Sequence, residues 1–134
     1  MSLYVDTSAL LKRYVDEADS EIAMSLLESD PSLVTARHSI VEVRRNLARI
    51  LAPQEASAAR TSFARDLDAF AIVELDRATC EAAAGIAETI GVRSLDALHL
   101  AAARRVGAPA VPFLTFDLRQ AEGARRLGFV VLGA

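Results

Sequence analysis

Cysteine is almost missing from this chain: Cys80 stands alone among 134 residues, so no internal disulfide can brace the fold. No stretch approaches about 18 consecutive apolar residues, which excludes a membrane-spanning helix. The opening residues carry no basic region followed by an apolar signal core, and the chain is therefore read as cytoplasmic. Linkers, internal repeats and low-complexity tracts are absent too. With 52% hydrophobic residues the sequence fits one compact domain over residues 1–134, large enough to bury a core without disulfides or a structural metal.

Lysine is equally scarce. Lys12 is the only one, and the other fourteen of fifteen basic residues are arginine. Guanidinium groups suit bidentate contacts with phosphate, although a GC-rich genome produces the same bias. The formal net charge of −3 sits badly with nucleic-acid binding, in which phosphate contacts supply most of the affinity. Setting aside the four acids discussed below leaves fourteen acids against fifteen basic residues, so the charge excludes nothing.

What is present is a regular alternation. Short β-like runs cover Leu3 to Val5, Leu33 to Thr35, Ala71 to Leu75, Pro112 to Thr115 and Phe129 to Leu132, with helical stretches between them. Such alternation predicts an α/β fold: five parallel strands joined by right-handed crossovers and covered on both faces. Breakers and caps place seven helices. The first spans about Ala9 to Val15 behind Asp6-Thr7-Ser8, and the second follows Asp19-Ser20 and ends before Asp30-Pro31. Pro53 ends a third, with the stripe Ile40, Val43, Leu47, Ile50 and Leu51, and a fourth covers about Gln54 to Ala69. Two more, divided by Gly91, lie between Arg77 and Arg105, and the last runs from Asp117 to Gly128.

Four acids from separate segments are expected at one edge of that sheet. In an open parallel sheet ligands bind beyond the carboxyl ends of the strands, near the point where strand order reverses. Asp6 and Asp117 follow the first and fourth strands, and in a sheet ordered 3-2-1-4-5 they face each other across that point. Each also reads as the N-cap of its following helix. Asp96 sits in the first turn of a helix feeding a parallel strand, which brings it to the same edge. That helix, Leu95 to Ala103, is apolar almost all round, so a carboxylate in it needs backbone N–H groups or a cation, with Ser94 free to cap. Glu42 projects beside Arg45, Asn46 and Arg49, as a solvated ion pair would. Its helix nevertheless begins at the carboxyl edge, so that face can turn to the site, with Arg45 and Arg49 toward phosphate. Carboxylates gathered in this way repel one another unless a divalent cation neutralises them.

Ser8 and Thr115 stand two residues from Asp6 and Asp117, within reach of a carboxylate or bound water. His99, one turn after Asp96, is expected to be a satisfied core histidine, because a hard oxygen-liganded cation needs no imidazole. His38 is expected on the surface and Cys80 in packing. Ile22, Leu26 and Leu27, with Ile50 and Leu51, are expected to supply an apolar face beyond the core.

Four ordered segments carry a resemblance: Tyr4-Val5-Asp6-Thr7-Ser8-Ala9-Leu10-Leu11; Glu42 early in the third helix; Ser94-Leu95-Asp96-Ala97-Leu98-His99-Leu100-Ala101-Ala102-Ala103; and Leu114-Thr115-Phe116-Asp117. Together they resemble the PIN domain, and within it the VapC-type toxin ribonucleases. The resemblance implies a three-layer α/β/α sandwich and RNA cleavage at an acidic pocket holding Mg²⁺ or Mn²⁺. By position, Asp6, Glu42, Asp96 and Asp117 match its acidic quartet, and Thr115 matches the hydroxyl residue before the last Asp. Gln120 departs from the pattern, standing where many relatives have an aromatic or aliphatic residue. Also implied are a homodimer and an antitoxin whose tail enters the active-site groove.

Other readings share the architecture. A phosphorylatable receiver domain needs a lysine after its last strand, and Val130-Val131-Leu132-Gly133-Ala134 has none. A haloacid-dehalogenase-type phosphatase needs a second Asp two residues past its nucleophile, where Ser8 stands. A catalytically silent PIN fold, used as an RNA-binding or assembly module, is the alternative from another class. A metal-free ribonuclease using His38 or His99 would leave cyclic phosphate ends.

Overall fold

In a computed structural model describing residues 2–107 and 110–134, the expected sheet forms with all its strands parallel. The strands are β1 (Ser2–Val5), β2 (Ser32–Ala36), β3 (Ala71–Val73), β4 (Phe113–Thr115) and β5 (Val131–Gly133). Their order is β3-β2-β1-β4-β5. β1 is central, and its residues Tyr4 and Val5 lie opposite Phe113 and Leu114 of β4. The connections are α1 (Thr7–Leu11), α2 (Ser20–Glu28), α3 (Ser39–Ile50), α4 (Pro53–Leu67), α5 (Arg77–Ile90), α6 (Ser94–Arg105) and α7 (Leu118–Arg126).

Side-chain alternation along β1 divides the interior in two. Leu3 and Val5 join Leu10, Val43, Leu47 and Phe63, from α1, α3 and α4, on one face. Tyr4 points the other way, among Leu100, Phe113 and Phe129. Both faces of the sheet are therefore covered, which gives the three-layer α/β/α sandwich. The helix α6 is apolar because it is enclosed: Ala97, Leu100, Ala101, Ala102 and Ala103 are all at most 1% exposed.

Several boundaries differ from expectation for local reasons. α1 ends at Leu11, and i→i−3 bonds from Lys12, Arg13 and Tyr14 carry the chain on toward Val15. Pro53 begins α4 as well as ending α3, since its missing N–H costs nothing in a first helical turn. β3 stops at Val73 because β2 has run out; Val73 O accepts the Arg37 N–H just beyond it. β5 begins only at Val131 because Phe129 N bonds back to Ala124 O at the end of α7. Gly91 closes α5 at φ 72°, a conformation that glycine enters without a Cβ penalty.

Other expectations are corrected here. Ser94 does not cap α6: it is the first helical residue, and Arg93 occupies the cap position without a side-chain bond to the helix's backbone N–H groups. Cys80 is exposed rather than packed. Leu27, at 2% exposure, belongs to the α1–α3 core, while Ile22 and Ile50 remain exposed. Among the described residues no helix is long and apolar enough to cross a membrane.

Candidate active site

Asp6 follows β1 directly and lies at the β1–β4 switch point, held there by its N–H on Leu114 O at 3.1 Å. It is 4% exposed. One carboxylate oxygen, Oδ1, accepts from Ser8 Oγ at 2.7 Å and from the Ala9 N–H at 3.2 Å, which caps α1. The other, Oδ2, accepts from Thr115 Oγ1 at 2.6 Å. The two hydroxyls are themselves anchored, for the Phe116 N–H donates to Ser8 Oγ and the Asp117 N–H to Thr115 Oγ1. Burial pushes the Asp6 carboxyl above its ordinary pKa, against the opposing pull of His99, Thr115, Ser8 and the Ala9 amide. Its ionised form is thus under-compensated, which favours a nearby cation.

Asp117 caps α7 with Oδ1, which takes the Arg119 and Gln120 N–H groups at 2.8 and 3.1 Å. Its Oδ2 lies 3.8 Å from Arg93 Nη2. Asp96, in the first turn of α6, accepts from Arg93 Nε through its own Oδ2 at 3.2 Å. One guanidinium therefore spans both carboxylates. Burial raises the Asp96 pKa; Arg93 opposes the rise and the charge of Asp117 adds to it. Gln120, the residue at which the sequence departs from the PIN pattern, is 1% exposed and donates from Nε2 to the backbone carbonyl of Asp96. It holds the first turn of α6 in place. A cleft of about 270 Å³ opens among Glu42, Arg93, Ser94, Leu95 and Asp96.

Glu42 turns toward this cleft and away from its own helix's arginines. Its Oε1 accepts from Thr7 Oγ1 at 2.7 Å and from His99 Nε2 at 2.8 Å. Asn46 bonds the Glu42 backbone carbonyl, Arg49 bonds Asn46, and Arg45 lies exposed. The expected solvated pairing with arginine is therefore replaced by burial against α6. That burial works to raise the Glu42 pKa, but the His99 bond and charge, with Thr7 and His38, outweigh it and hold the carboxyl below its ordinary value.

His99 is the satisfied core histidine that was expected, with Tyr4 Oη 2.7 Å from its Nδ1. Burial, then the charges of Asp6 and Glu42, push the Tyr4 pKa well up, so its hydroxyl stays protonated and donates to that nitrogen. His38 is buried at 7% exposure and not on the surface; its ring centroid is 4.1 Å from that of His99. Burial, then His99, lower its pKa to about 4, so it is neutral near pH 7. Its Nε2 lies 3.2 Å from Leu95 O, which can only accept, so that nitrogen carries the proton and Nδ1 is left a buried acceptor without a partner.

Two donor sets are thus available to a metal. Among the described residues, the one trio of ligand-type atoms mutually within 4.8 Å is His38, Glu42 and His99. Asp6, Asp96 and Asp117 do not close to that spacing. Hydrogen bonding accounts for most of the histidine set without an ion, since Glu42 Oε1, both nitrogens of His99 and His38 Nε2 have partners and His38 Nδ1 alone of the set has none. The aspartates suit Mg²⁺ better: it prefers oxygen, needs few protein ligands and keeps waters that span wider gaps. The pKa values of Asp6 and Asp96, raised by burial, fit the same role.

Fold and site together define a class of protein: an open parallel α/β/α domain with an acidic pocket at the carboxyl edge of its central strands. The chain belongs to the PIN domain family, whose model matches residues 3–126. It is 36% identical to ribonuclease VapC47 of Mycobacterium tuberculosis (strain CDC 1551 / Oshkosh), over 96% of this chain and 93% of the relative. Ribonuclease VapC35 of the same strain is 34% identical over 97% and 95%. Among solved structures, M. tuberculosis VapC20, described as a sarcin-ricin loop cleaving toxin, superposes with TM-score 0.77 at 22% identity over 96% of both chains. A toxin–antitoxin complex from Klebsiella pneumoniae gives TM-score 0.75 at 15% identity over 98% of both. At these identities the structural matches speak for the fold alone.

Proposed function

We propose that this chain is a VapC-type endoribonuclease, a single nuclease domain over residues 1–134 that hydrolyses RNA phosphodiesters with Mg²⁺ or Mn²⁺. What supports the reading is that Asp6 and Asp117 cap helices just beyond the neighbouring strands β1 and β4, while one Arg93 guanidinium reaches both Asp117 and Asp96. In this reading Asp6, Asp96 and Asp117 hold the metal. A divalent ion held there would supply a lowered pKa for the attacking water and positive charge against the developing phosphate. Glu42, ionised at neutral pH, accepts that water's proton or serves as a further ligand. Thr7 and His99 both engage its Oε1, which leaves Oε2 for the cleft. Ser8 and Thr115 fix the orientation of Asp6, and exposed Arg45 contacts the RNA backbone. Water attack with departure of the 3′ oxygen leaves a 5′-phosphate and a 3′-hydroxyl.

Further parts of the reading draw on the similar proteins. Several structural neighbours are toxin–antitoxin complexes, which supports a cognate antitoxin as partner. A homodimer and a cytoplasmic place of action belong to the same proposal. The test is incubation of purified protein with total RNA and Mg²⁺ or Mn²⁺, with EDTA and Asp6→Asn controls, followed by end mapping. The expected outcome is cleavage that both controls abolish. Cleavage surviving EDTA with cyclic phosphate ends would instead support the metal-free histidine route, and RNA retention without cleavage would support a silent binding module.

A further inference from the structure

Arg93 faces both the acids and a second, basic cleft. Its Nε reaches Asp96 Oδ2 at 3.2 Å and its Nη2 lies 3.8 Å from Asp117 Oδ2. Its side chain is still 67% exposed, whereas those of Asp96 and Asp117 are 18% and 34% exposed, so the guanidinium covers the two carboxylates from the solvent side. On its other flank lies a cleft of about 240 Å³ to which Arg93, Arg119 and Arg126 all contribute. Arg93 and Asp96 line this cleft and the one containing Glu42. Arg119 is exposed, and Arg126 spends one N–H on Ile90 O at 3.3 Å. The acids of the basic cleft are Asp96 and Glu122, so its three guanidinium groups outnumber them.

We propose that Arg93 is a phosphate-contacting residue that exchanges between two partners: the Asp96/Asp117 carboxylate pair, and an RNA backbone phosphate seated in the cleft shared with Arg119 and Arg126. A divalent cation and the guanidinium compete for the same two oxygens. Once the cation takes them, Arg93 is released as a donor next to the reacting edge, where its planar fork matches a phosphate. The exchange requires mobility on the side of the arginine, and its high exposure supplies that. The inference rests on the ribonuclease reading and extends it to how the substrate backbone is held.

This role has a signature that a purely structural residue lacks, because removing Arg93 moves two affinities in opposite directions. The experiment uses the full chain, with Arg93→Gln and Arg93→Lys, each alone and combined with Glu42→Gln, which keeps all three aspartates, for RNA binding in Mn²⁺ without turnover. Mn²⁺ titration in the absence of RNA is expected to show about threefold tighter binding in Arg93→Gln, the loss of a partly exposed competing ion pair. Affinity for a single-stranded oligoribonucleotide is expected to fall about tenfold, the cost of one charge-assisted contact. The dependence of log affinity on log salt should become shallower by about 0.7, as for one phosphate on a single strand. Arg93→Lys keeps the charge and should retain the salt slope while losing part of the affinity. Unchanged or weaker Mn²⁺ binding with unaltered RNA affinity overturns the assignment of Arg93 alone. A wild-type protein that neither binds nor cuts RNA overturns the ribonuclease reading, and this inference with it.

Discussion

Replacing Asp6 by asparagine separates what this carboxylate does for the metal from what it does for the fold. Asparagine keeps an acceptor for Ser8 Oγ and the Ala9 N–H, and the Thr115 hydroxyl can turn to accept from the new amide. The variant therefore folds. It also removes a buried charge whose pKa burial has raised. A carboxyl with a raised folded-state pKa gives its full contribution below the unfolded value of about 4, and loses it as pH rises through the folded value. Without metal, wild-type stability relative to Asp6→Asn should accordingly fall as pH climbs from about 4 toward neutrality. Metal reverses the comparison. A ligand at one hundred times its Kd stabilises the native state by about 2.7 kcal/mol. A 134-residue chain has an unfolding entropy of about 0.28 kcal/mol/K, so the melting temperature should rise by about 10 °C. Thermal melts with and without Mn²⁺ at several pH values read both effects. A wild-type shift of that size that collapses in Asp6→Asn is the expected result; an equal shift in the variant would refute Asp6 as a ligand.

Glu42→Gln should abolish cleavage, and its stability cost should be present near pH 7 and fade as pH falls below the ordinary glutamate value of 4.5, because the native carboxyl is held lower. Denaturant titrations at the two pH values measure that difference. Thr115→Val removes the donor to Asp6 Oδ2 and the acceptor for the Asp117 N–H, and should lower kcat/KM by about tenfold or more while secondary structure is kept by circular dichroism. Gly133→Ala places a Cβ 2.4 Å from Thr115 O at φ 97°, and urea unfolding should show a loss of about 1–3 kcal/mol.

The sheet was legible because its strands are short apolar runs separated by capped, periodic helices, whereas right-handed crossovers allow several strand orders and the order 3-2-1-4-5 came with the family resemblance. Boundaries were less so. β3, β5 and α1 end where a neighbouring strand runs out or a backbone bond is captured, as with Phe129 on Ala124 O, and such events depend on tertiary partners. At the candidate site, the placement of Asp6 and Asp117 at strand ends and of Asp96 in a first helical turn was legible. Glu42 shows the limit of helical projection. Periodicity ranks residues within one helix, so it paired Glu42 with Arg45 and Arg49. The partner that decides its orientation, His99, belongs to α6, 57 residues away. Tyr4 and Thr7 went unnoticed for the same reason. Arg93 carried one usable signal, its place three residues before Asp96, where a chain entering a helix can fold its side chain back over the first turn.

The sequence presents Asp6 and Asp117 as either helix caps or metal ligands, and the geometry removes that opposition. A carboxylate has two oxygens and about four lone-pair positions. In Asp117 both cap bonds fall on Oδ1, leaving Oδ2 toward Arg93. In Asp6 the cap bond and Ser8 fall on Oδ1, and Oδ2 takes one hydroxyl, from Thr115. Capping therefore orients each group, fixing one oxygen on a rigid helix start while the other remains at the strand edge. A residue that caps a helix at the carboxyl end of a parallel strand is thereby already aimed at the place where such sheets bind their ligands. Caps elsewhere in the chain, such as Asp76 before α5, accept from Thr79 and pair with Arg105. What sets the caps of the candidate site apart is therefore the strand switch point beneath them, and not the capping itself.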